Sequence, residues 1–153
     1  MKKKLPEMLN VLTIITIGWS FMMLVSSIVN AFVFSGNIDI VREEIANTDI
    51  EGKKGEPFLQ VLFEVADTVL EHAELLNYNS MVVYLLSIIA ALLMRKLLKL
   101  GFWMYICATA LEISIPLLLL DNKLAAAAVI VGSIFSLVFI ILYGVNYKHL
   151  TST

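Results

Sequence analysis

Four long stretches of apolar residues dominate the chain and predict four transmembrane helices. The predicted spans cover residues 9–34, 80–98, 102–120 and 124–147. Each is close to or above the roughly 20 residues that an α-helix needs to cross the hydrocarbon core of a bilayer. The connections after the second and third spans are short, so neighbouring spans are expected to run antiparallel. The predicted fold is an all-α, four-transmembrane-helix antiparallel bundle, a single membrane domain covering residues 1–153.

The connection between the first two spans, residues 35–79, is polar and is predicted to lie outside the membrane. Ser35–Asn37 is typical of a helix end. Apolar residues then recur at helical spacing in Ile38–Ile45 and again, with a clear 3.6-residue period, in Phe58–Tyr78. The second of these segments has an acidic face, formed by Glu64, Asp67, Glu71 and Glu74. We therefore predict an amphipathic, helical extracytoplasmic segment whose acidic surface binds a basic partner or is simply solvated.

The composition agrees with a membrane protein. Hydrophobic residues make up 59% of the chain, charged residues 16%, and the mean hydropathy is +0.87. Soluble domains are nearer half apolar and a quarter charged, so the soluble, fibrous and disordered classes are excluded. The one cysteine, Cys107, lies within the third span, where we expect it to be a small buried residue.

The charged residues are distributed unevenly between the two predicted sides of the membrane. If the spans alternate, seven Lys and Arg residues and only Glu7 among the acids fall on the side that holds both termini. The opposite side carries four Lys and Arg residues against eleven acids. Because cytoplasmic loops of membrane proteins carry an excess of Lys and Arg, both termini are predicted to be cytoplasmic.

Glu112 is the sharpest feature, because it lies near the middle of the third predicted span. An ionised carboxylate at that depth costs several kcal/mol unless it is paired. The predicted spans contain no Lys, Arg or His apart from Arg95 and Lys96 at the end of the second, which lie far from the depth of Glu112. We therefore expect Glu112 to be protonated, hydrogen-bonded to neutral groups, or paired with a cation on another protein.

Polar and small residues at helical spacing offer partners for Glu112 and surfaces for helix packing. A polar seam on the first span is formed by Thr13, Thr16, Ser20, Met23, Ser27 and Asn30, and a similar seam on the second by Ser80, Tyr84, Ser87 and Ala91. The predicted intramembrane polar site consists of Glu112, Thr109, Asn30 and Ser27. The fourth span contains a small-residue row that permits close helix approach, Ala128, Gly132 and Ser136.

Three interpretations of Glu112 remain open. Glu112 is a neutral group that ties helices together inside the bundle, a group that takes part in proton or cation passage, or a carboxylate that pairs with a cation of a partner subunit. No zinc-protease, serine-hydrolase, dinucleotide or phosphate-loop motif occurs, so we expect no enzyme activity, no cofactor and no metal site. The cytoplasmic cations are few and are explained by topology, so no nucleic-acid partner is expected.

These observations favour a non-enzymatic membrane protein that acts as a self-associating or accessory subunit of a membrane complex. Its expected partners are the lipid bilayer and a second copy or another membrane protein. The alternative function is proton or cation conduction that uses Glu112.

The N-terminal segment Lys4–Gly18 contains Pro6, Leu9, Val11-Leu12 and then an apolar run that reaches Gly18. This opening resembles the start of small four-span membrane proteins common in Bacteroidetes, which have the same order of Pro, Leu, Val-Leu and Gly. The resemblance is confined to the first span. It implies a multi-pass protein of the bacterial inner membrane with Ser35–Asn79 in the periplasm. Because that family is largely uncharacterised, the resemblance implies no activity and no functional residue.

Overall fold

The computed structural model describes residues 5–47, 68–120 and 123–151, and for residues 33–47 the description is limited to the backbone. The described residues form four long helices: α1 (Glu7–Asn47), α2 (Ala73–Arg95), α3 (Lys99–Leu119) and α4 (Lys123–Asn146). A single 3-10 turn, Tyr147–His149, follows α4. Residues 68–71 are also helical and lead into α2. The part of the chain that is described contains no strand, only an isolated bridge between Leu98 and Thr151.

Each of the four helices contains a segment long and apolar enough to cross a membrane. These segments are Glu7–Phe32, Ala73–Arg95, Lys99–Leu119 and Lys123–His149. The prediction of an all-helical chain with four such segments is therefore confirmed. Large apolar side chains are exposed along all four helices, as expected where a helix faces lipid rather than water. Cys107 is also exposed, so the expectation that it is buried was wrong.

The predicted helix break at Ser35–Asn37 was wrong. α1 continues through these residues to Asn47 and absorbs the segment Ile38–Ile45, which we expected to form a separate helix. The local preference of Gly for a turn is worth only about 1 kcal/mol, and helix propagation from both sides outweighs it. At 1.5 Å per residue, 41 residues extend about 60 Å, roughly twice the hydrocarbon thickness. The first helix is therefore much longer than its apolar part.

The second helix begins earlier and ends earlier than predicted. α2 starts at Ala73 rather than residue 80, so part of the segment predicted to be extracytoplasmic is continuous with the span. It ends at Arg95, because Leu97 adopts a left-handed backbone with φ 61°. The amide of Leu98 donates to the carbonyl of Leu93 at 3.1 Å, which closes a Schellman-type cap. Leu97 and Leu98 therefore form a turn and do not extend α2.

The tightest packing lies at the end of the bundle where the described start and end of the chain meet. A buried cluster from all four helices and the segment after α4 consists of Leu9, Leu12, Ala90, Met94, Tyr105, Tyr143 and Leu150. Beside it, the backbone amide of Thr151 donates to the carbonyl of Leu97, and the amide of Lys99 donates to the carbonyl of Thr151. The α2–α3 turn and the end of the chain are thus held together at this end, which we call the terminal end.

α2 and α3 approach most closely at Gly101. An added Cβ atom at Gly101 would lie 2.5 Å from the carbonyl oxygen of Ala90 and 2.7 Å from the backbone nitrogen of Met94. Both distances are shorter than van der Waals contact, and both atoms belong to the backbone, so no side chain can rotate away. Only glycine fits this position.

Candidate functional site

The polar seam of α1 faces the interior of the bundle. Thr13, Thr16, Ser20 and Ser27 are all buried, whereas Asn30 at the end of the seam is exposed. The hydroxyls of Thr16 and Tyr143 are 2.7 Å apart and form a hydrogen bond between α1 and α4. Beyond Leu12, the large apolar side chains of α1 mostly face outward, because lipid solvates them and leaves the polar groups to bond within the protein.

A cavity of about 680 Å³ lies in the middle of the bundle, and we call it the central cavity. All four helices contribute to its wall, which includes the buried side chains of Thr16, Ser20, Val83, Ser87, Tyr105 and Ser133. Its exposed wall residues come from α1 (Ile15 and Trp19) and from α4 (Gly132 and Phe135). α1 and α4 contact each other least among the neighbouring helices. The central cavity therefore opens between α1 and α4, toward the side of the bundle that faces lipid.

Glu112 contributes a carboxyl group to the central cavity. The side chain is half-buried, and its Oε2 atom accepts a hydrogen bond of 2.8 Å from the hydroxyl of Ser136 on α4. No Lys, Arg or His lines this cavity among the residues that the structure describes. The other groups near the carboxyl are therefore hydroxyls and apolar atoms. The sequence expectation that Glu112 is bonded to a neutral group of a neighbouring helix agrees with this geometry.

Aromatic side chains form much of the remaining wall of the central cavity. They are Trp19, Tyr84, Tyr105, Phe135 and Phe139. Trp19 and Phe135 are mainly exposed and flank the opening, while Tyr105 is buried and packs against Tyr143 with ring centroids 5.2 Å apart. Tyr105 also belongs to the buried cluster at the terminal end. The central cavity is thus bounded by well-packed side chains on the side of the terminal end.

A second cavity, of about 360 Å³, lies between α1, α2 and residues 69–70, farther from the terminal end; we call it the outer cavity. Its polar wall residues are Ser26, Ser27, Asn30, Glu74, Asn77, Tyr78, Ser80 and Tyr84. Asn77 crosses from α2 to α1, where its side-chain amide donates to the carbonyl of Ser27 at 3.0 Å. Met23 and Tyr84 line both cavities. Tyr84 therefore lies between the exposed carboxyl of Glu74 and the half-buried carboxyl of Glu112.

The structure divides the four residues of the predicted intramembrane polar site. Glu112 lies in the central cavity, whereas Ser27 and Asn30 line the outer cavity. Thr109 is buried one turn before Glu112 and donates back to the carbonyl of Tyr105 at 3.1 Å. Ser136, which was predicted only as a packing residue, is the actual hydrogen-bond partner of Glu112. Helical spacing identified the polar faces but could not identify which face meets which.

The small-residue row of α4 is only partly used inside the protein. Ser136 faces α3 and bonds to Glu112, but Ala128 and Gly132 are exposed. A Cβ atom added at Gly132 would meet nothing within 4 Å. Within the described part of the chain, no other helix therefore approaches closely at Gly132.

Two of the four residues of the predicted acidic surface, Glu64 and Asp67, lie outside the described residues. Glu71 and Glu74 are exposed, and Glu74 also lines the outer cavity. His72 directs its Nδ1 atom to the carbonyl of Thr68 at 3.2 Å. Within the described part of the chain, no group of His, Cys, Asp and Glu is arranged to hold a metal ion.

The sequence pattern does not reveal the aromatic wall at the opening. Trp19 and Phe135 lie in the apolar stretches of the first and fourth spans, where an aromatic residue that faces lipid has the same pattern as one that flanks a cavity. Tyr84 was recognised as part of the α2 seam, but its position between two cavities depends on α1 and α3.

Comparison with family models, curated proteins and solved structures finds no match to this chain.

Proposed function

We propose that this chain is a small, non-enzymatic integral membrane protein that self-associates or joins another membrane protein as an accessory subunit. In this proposal the four spans form an antiparallel bundle in the bacterial inner membrane, with both termini in the cytoplasm. The charge asymmetry of the sequence supports the orientation. The observation that carries the proposed function is the exposed small-residue face of α4.

α4 is the least enclosed of the four spans. Of the 18 consecutive residues that form the apolar part of the span, only 11% are buried inside the protein, compared with 28% for α1. Ala128 and Gly132, one turn apart, expose backbone that is not shielded by long side chains. In lipid, helices associate through van der Waals packing, and small residues four apart allow the backbones to approach closely. The exposed face of α4 therefore has the properties of a helix-packing surface without a partner in this chain.

We expect Ala128→Leu to weaken self-association by about tenfold or more, because a bulky side chain would keep the second backbone at a distance. The measurement is the donor–acceptor energy transfer between labelled copies in liposomes as the protein-to-lipid ratio is varied. Ala110→Leu is the matched control, because Ala110 is exposed on α3 and is not part of the small-residue face.

Equal energy transfer for Ala128→Leu and the unmodified protein would contradict the use of this face. A wild-type protein that stays monomeric in liposomes, and that also purifies from native membranes without a partner, would contradict the proposed function as a whole. A monomer that co-purifies with another membrane protein would support the accessory-subunit form.

The alternative function is proton or cation conduction through Glu112, and the two adjoining cavities favour it. The polar outer cavity extends from Glu74 to Tyr84, and the central cavity continues from Tyr84 to Glu112. Beyond Glu112, however, the buried cluster at the terminal end contains fully buried apolar side chains such as Leu9 and Met94. Conduction therefore requires that this cluster open, whereas self-association requires no such change.

The alternative predicts a proton or cation flux in proteoliposomes that Glu112→Gln abolishes. The substitution keeps the size of the side chain and a carbonyl acceptor for Ser136 but removes the ionisable carboxyl group. Glu7→Gln serves as the control, because Glu7 is exposed at the start of α1 and lines neither cavity. Flux that persists in Glu112→Gln, or none in the unmodified protein, would rule out conduction by this carboxyl.

A further inference from the structure

The central cavity has a combination of size, charge and wall chemistry that self-association does not use. Its volume of about 680 Å³ falls within the range of roughly 300–1,000 Å³ typical of small-molecule sites. It opens toward the lipid-facing side, between Trp19 and Phe135. Its wall contains one carboxyl group, several hydroxyls and five aromatic rings.

We propose that the central cavity binds a lipophilic organic cation, such as a quaternary ammonium or phosphonium group within an apolar body. Glu112 supplies the negative charge, and the aromatic and aliphatic wall residues contact the apolar body. This proposal does not require self-association, because neither the carboxyl of Glu112 nor the cavity depends on a second copy, although Gly132 belongs both to the small-residue face of α4 and to the cavity wall.

The charge of the ligand follows from the charge of the cavity. Ser136 donates to one oxygen of Glu112, and no cationic residue lines the described cavity wall. An ionised carboxylate in a site of low polarity strongly favours a cation and disfavours an anion. A bound cation and the ionised carboxylate form a neutral pair, so the ligand removes the cost of the unpaired charge.

The apolar character of the ligand follows from the wall. Trp19, Tyr84, Tyr105, Phe135 and Phe139 present ring surfaces, and a cation over such a face gains about 0.5–2 kcal/mol, more when water is excluded. A bare metal ion needs a shell of several oxygen ligands, whereas the described cavity wall offers one carboxyl group and scattered hydroxyls. A charge that is buried inside a bulky apolar body needs no such shell.

The depth of the cavity favours a small ligand over a transmembrane helix of a partner. Its wall residues lie at 15–23 on α1, 83–87 on α2, 105–116 on α3 and 129–139 on α4. These ranges cover about one and a half to three helical turns. At 5.4 Å per turn, even the longest is about half of the bilayer core, whereas a partner helix would need a groove along the whole span. The cavity is a local chamber with a lateral opening.

The test uses tetraphenylphosphonium and two probes of similar shape: the anion tetraphenylborate and the neutral triphenylphosphine oxide. Binding to the full-length protein in nanodiscs is measured by equilibrium dialysis, with empty nanodiscs subtracted. We expect saturable binding of tetraphenylphosphonium and no saturable binding of tetraphenylborate. Glu112→Gln should weaken tetraphenylphosphonium binding by about tenfold or more, the loss expected for a desolvated ion pair, and Glu7→Gln should not.

A second variant keeps the proposal testable if Glu112→Gln does not fold. Trp19 is 59% exposed at the opening, so Trp19→Ala should leave the fold intact and weaken tetraphenylphosphonium binding several-fold, with Trp19→Phe in between. Three results would each overturn the proposal: no saturable binding of the phosphonium, equal binding of the phosphonium and the phosphine oxide, or unchanged affinity in both folded Glu112→Gln and Trp19→Ala.

Discussion

Tyr143→Ala should lower the free energy of unfolding by about 3 kcal/mol, the largest effect that we expect from a single side chain. Tyr143 is fully buried at the terminal end, where its ring packs edge-on against Tyr105 and its hydroxyl bonds to Thr16. Truncation would leave a large void between α1, α3 and α4. Because lipid solvates apolar surface, the hydrophobic contribution to this stability loss is smaller than in water. We therefore expect a value at the lower end of the range measured for soluble proteins.

Two further tyrosine variants separate packing from hydrogen bonding at this position. Tyr143→Phe keeps the ring and loses only the bond to Thr16, which in a membrane is worth about 1 kcal/mol. Tyr78→Ala is the matched control, because the ring of Tyr78 is 63% exposed, and it should change stability little. The measurement is unfolding in mixed micelles with increasing dodecyl sulfate. Equal stability losses for Tyr143→Ala and Tyr78→Ala would contradict the assignment of the core to the terminal end.

Gly101→Ala should destabilise the protein by about 1–3 kcal/mol although it adds only one methyl group. That methyl would lie 2.5 Å from the carbonyl oxygen of Ala90 and 2.7 Å from the backbone nitrogen of Met94. Relief requires α2 and α3 to move apart, which loosens the contacts of Met94 in the buried cluster. At an exposed position in a helix, replacing Gly by Ala stabilises the protein by as much as about 1 kcal/mol, because alanine has the better helix propensity. At Gly101 we expect a loss of stability instead.

Gly18→Ala provides the control for Gly101→Ala. Gly18 lies within α1, and an added Cβ atom there would meet nothing within 4 Å. Its replacement should leave stability unchanged or raise it slightly, through the better helix propensity of alanine. Thermal denaturation in detergent, followed by circular dichroism, compares the two variants. If Gly101→Ala is as stable as Gly18→Ala, then α2 and α3 do not pack as the structure shows.

The terminal end and the middle of the bundle differ in a way that relates to both proposals. The terminal end is closed by large buried side chains and by the backbone contacts of Thr151 with Leu97 and Lys99. The middle is open between α1 and α4, where the central cavity holds Glu112. The packed terminal end holds the four helices together, while the middle is accessible from the lipid-facing side. This arrangement suits a protein that binds something within the membrane, whether a second copy on α4 or an organic cation in the cavity.

Most of the helical content could be predicted from the sequence, since apolar runs of sufficient length leave few alternatives in a bilayer. The burial of Thr13, Thr16, Ser20 and Ser27 also followed from spacing, because lipid forces polar side chains of one helix face to bond inside the protein. The helix ends were less predictable. Ser35–Asn37 has the local composition of a turn, yet α1 passes through it, because cooperative propagation outweighs a weak local preference.

The sequence by itself determined which residues form apolar helices, which face of α1 is polar, and that the middle of the spans contains no cation to pair with Glu112. Only the tertiary structure decided how those faces meet. The sequence does not show that Gly101 touches the backbone of α2 whereas Gly132 faces open space. Ser136 rather than Asn30 or Ser27 bonds to Glu112, because the relative rotation of α3 and α4 brings those two side chains together. The spacing of residues along a helix tells which side chains share a face of that helix. Which faces contact each other depends on how the helices pack together, and that cannot be read from one helix alone.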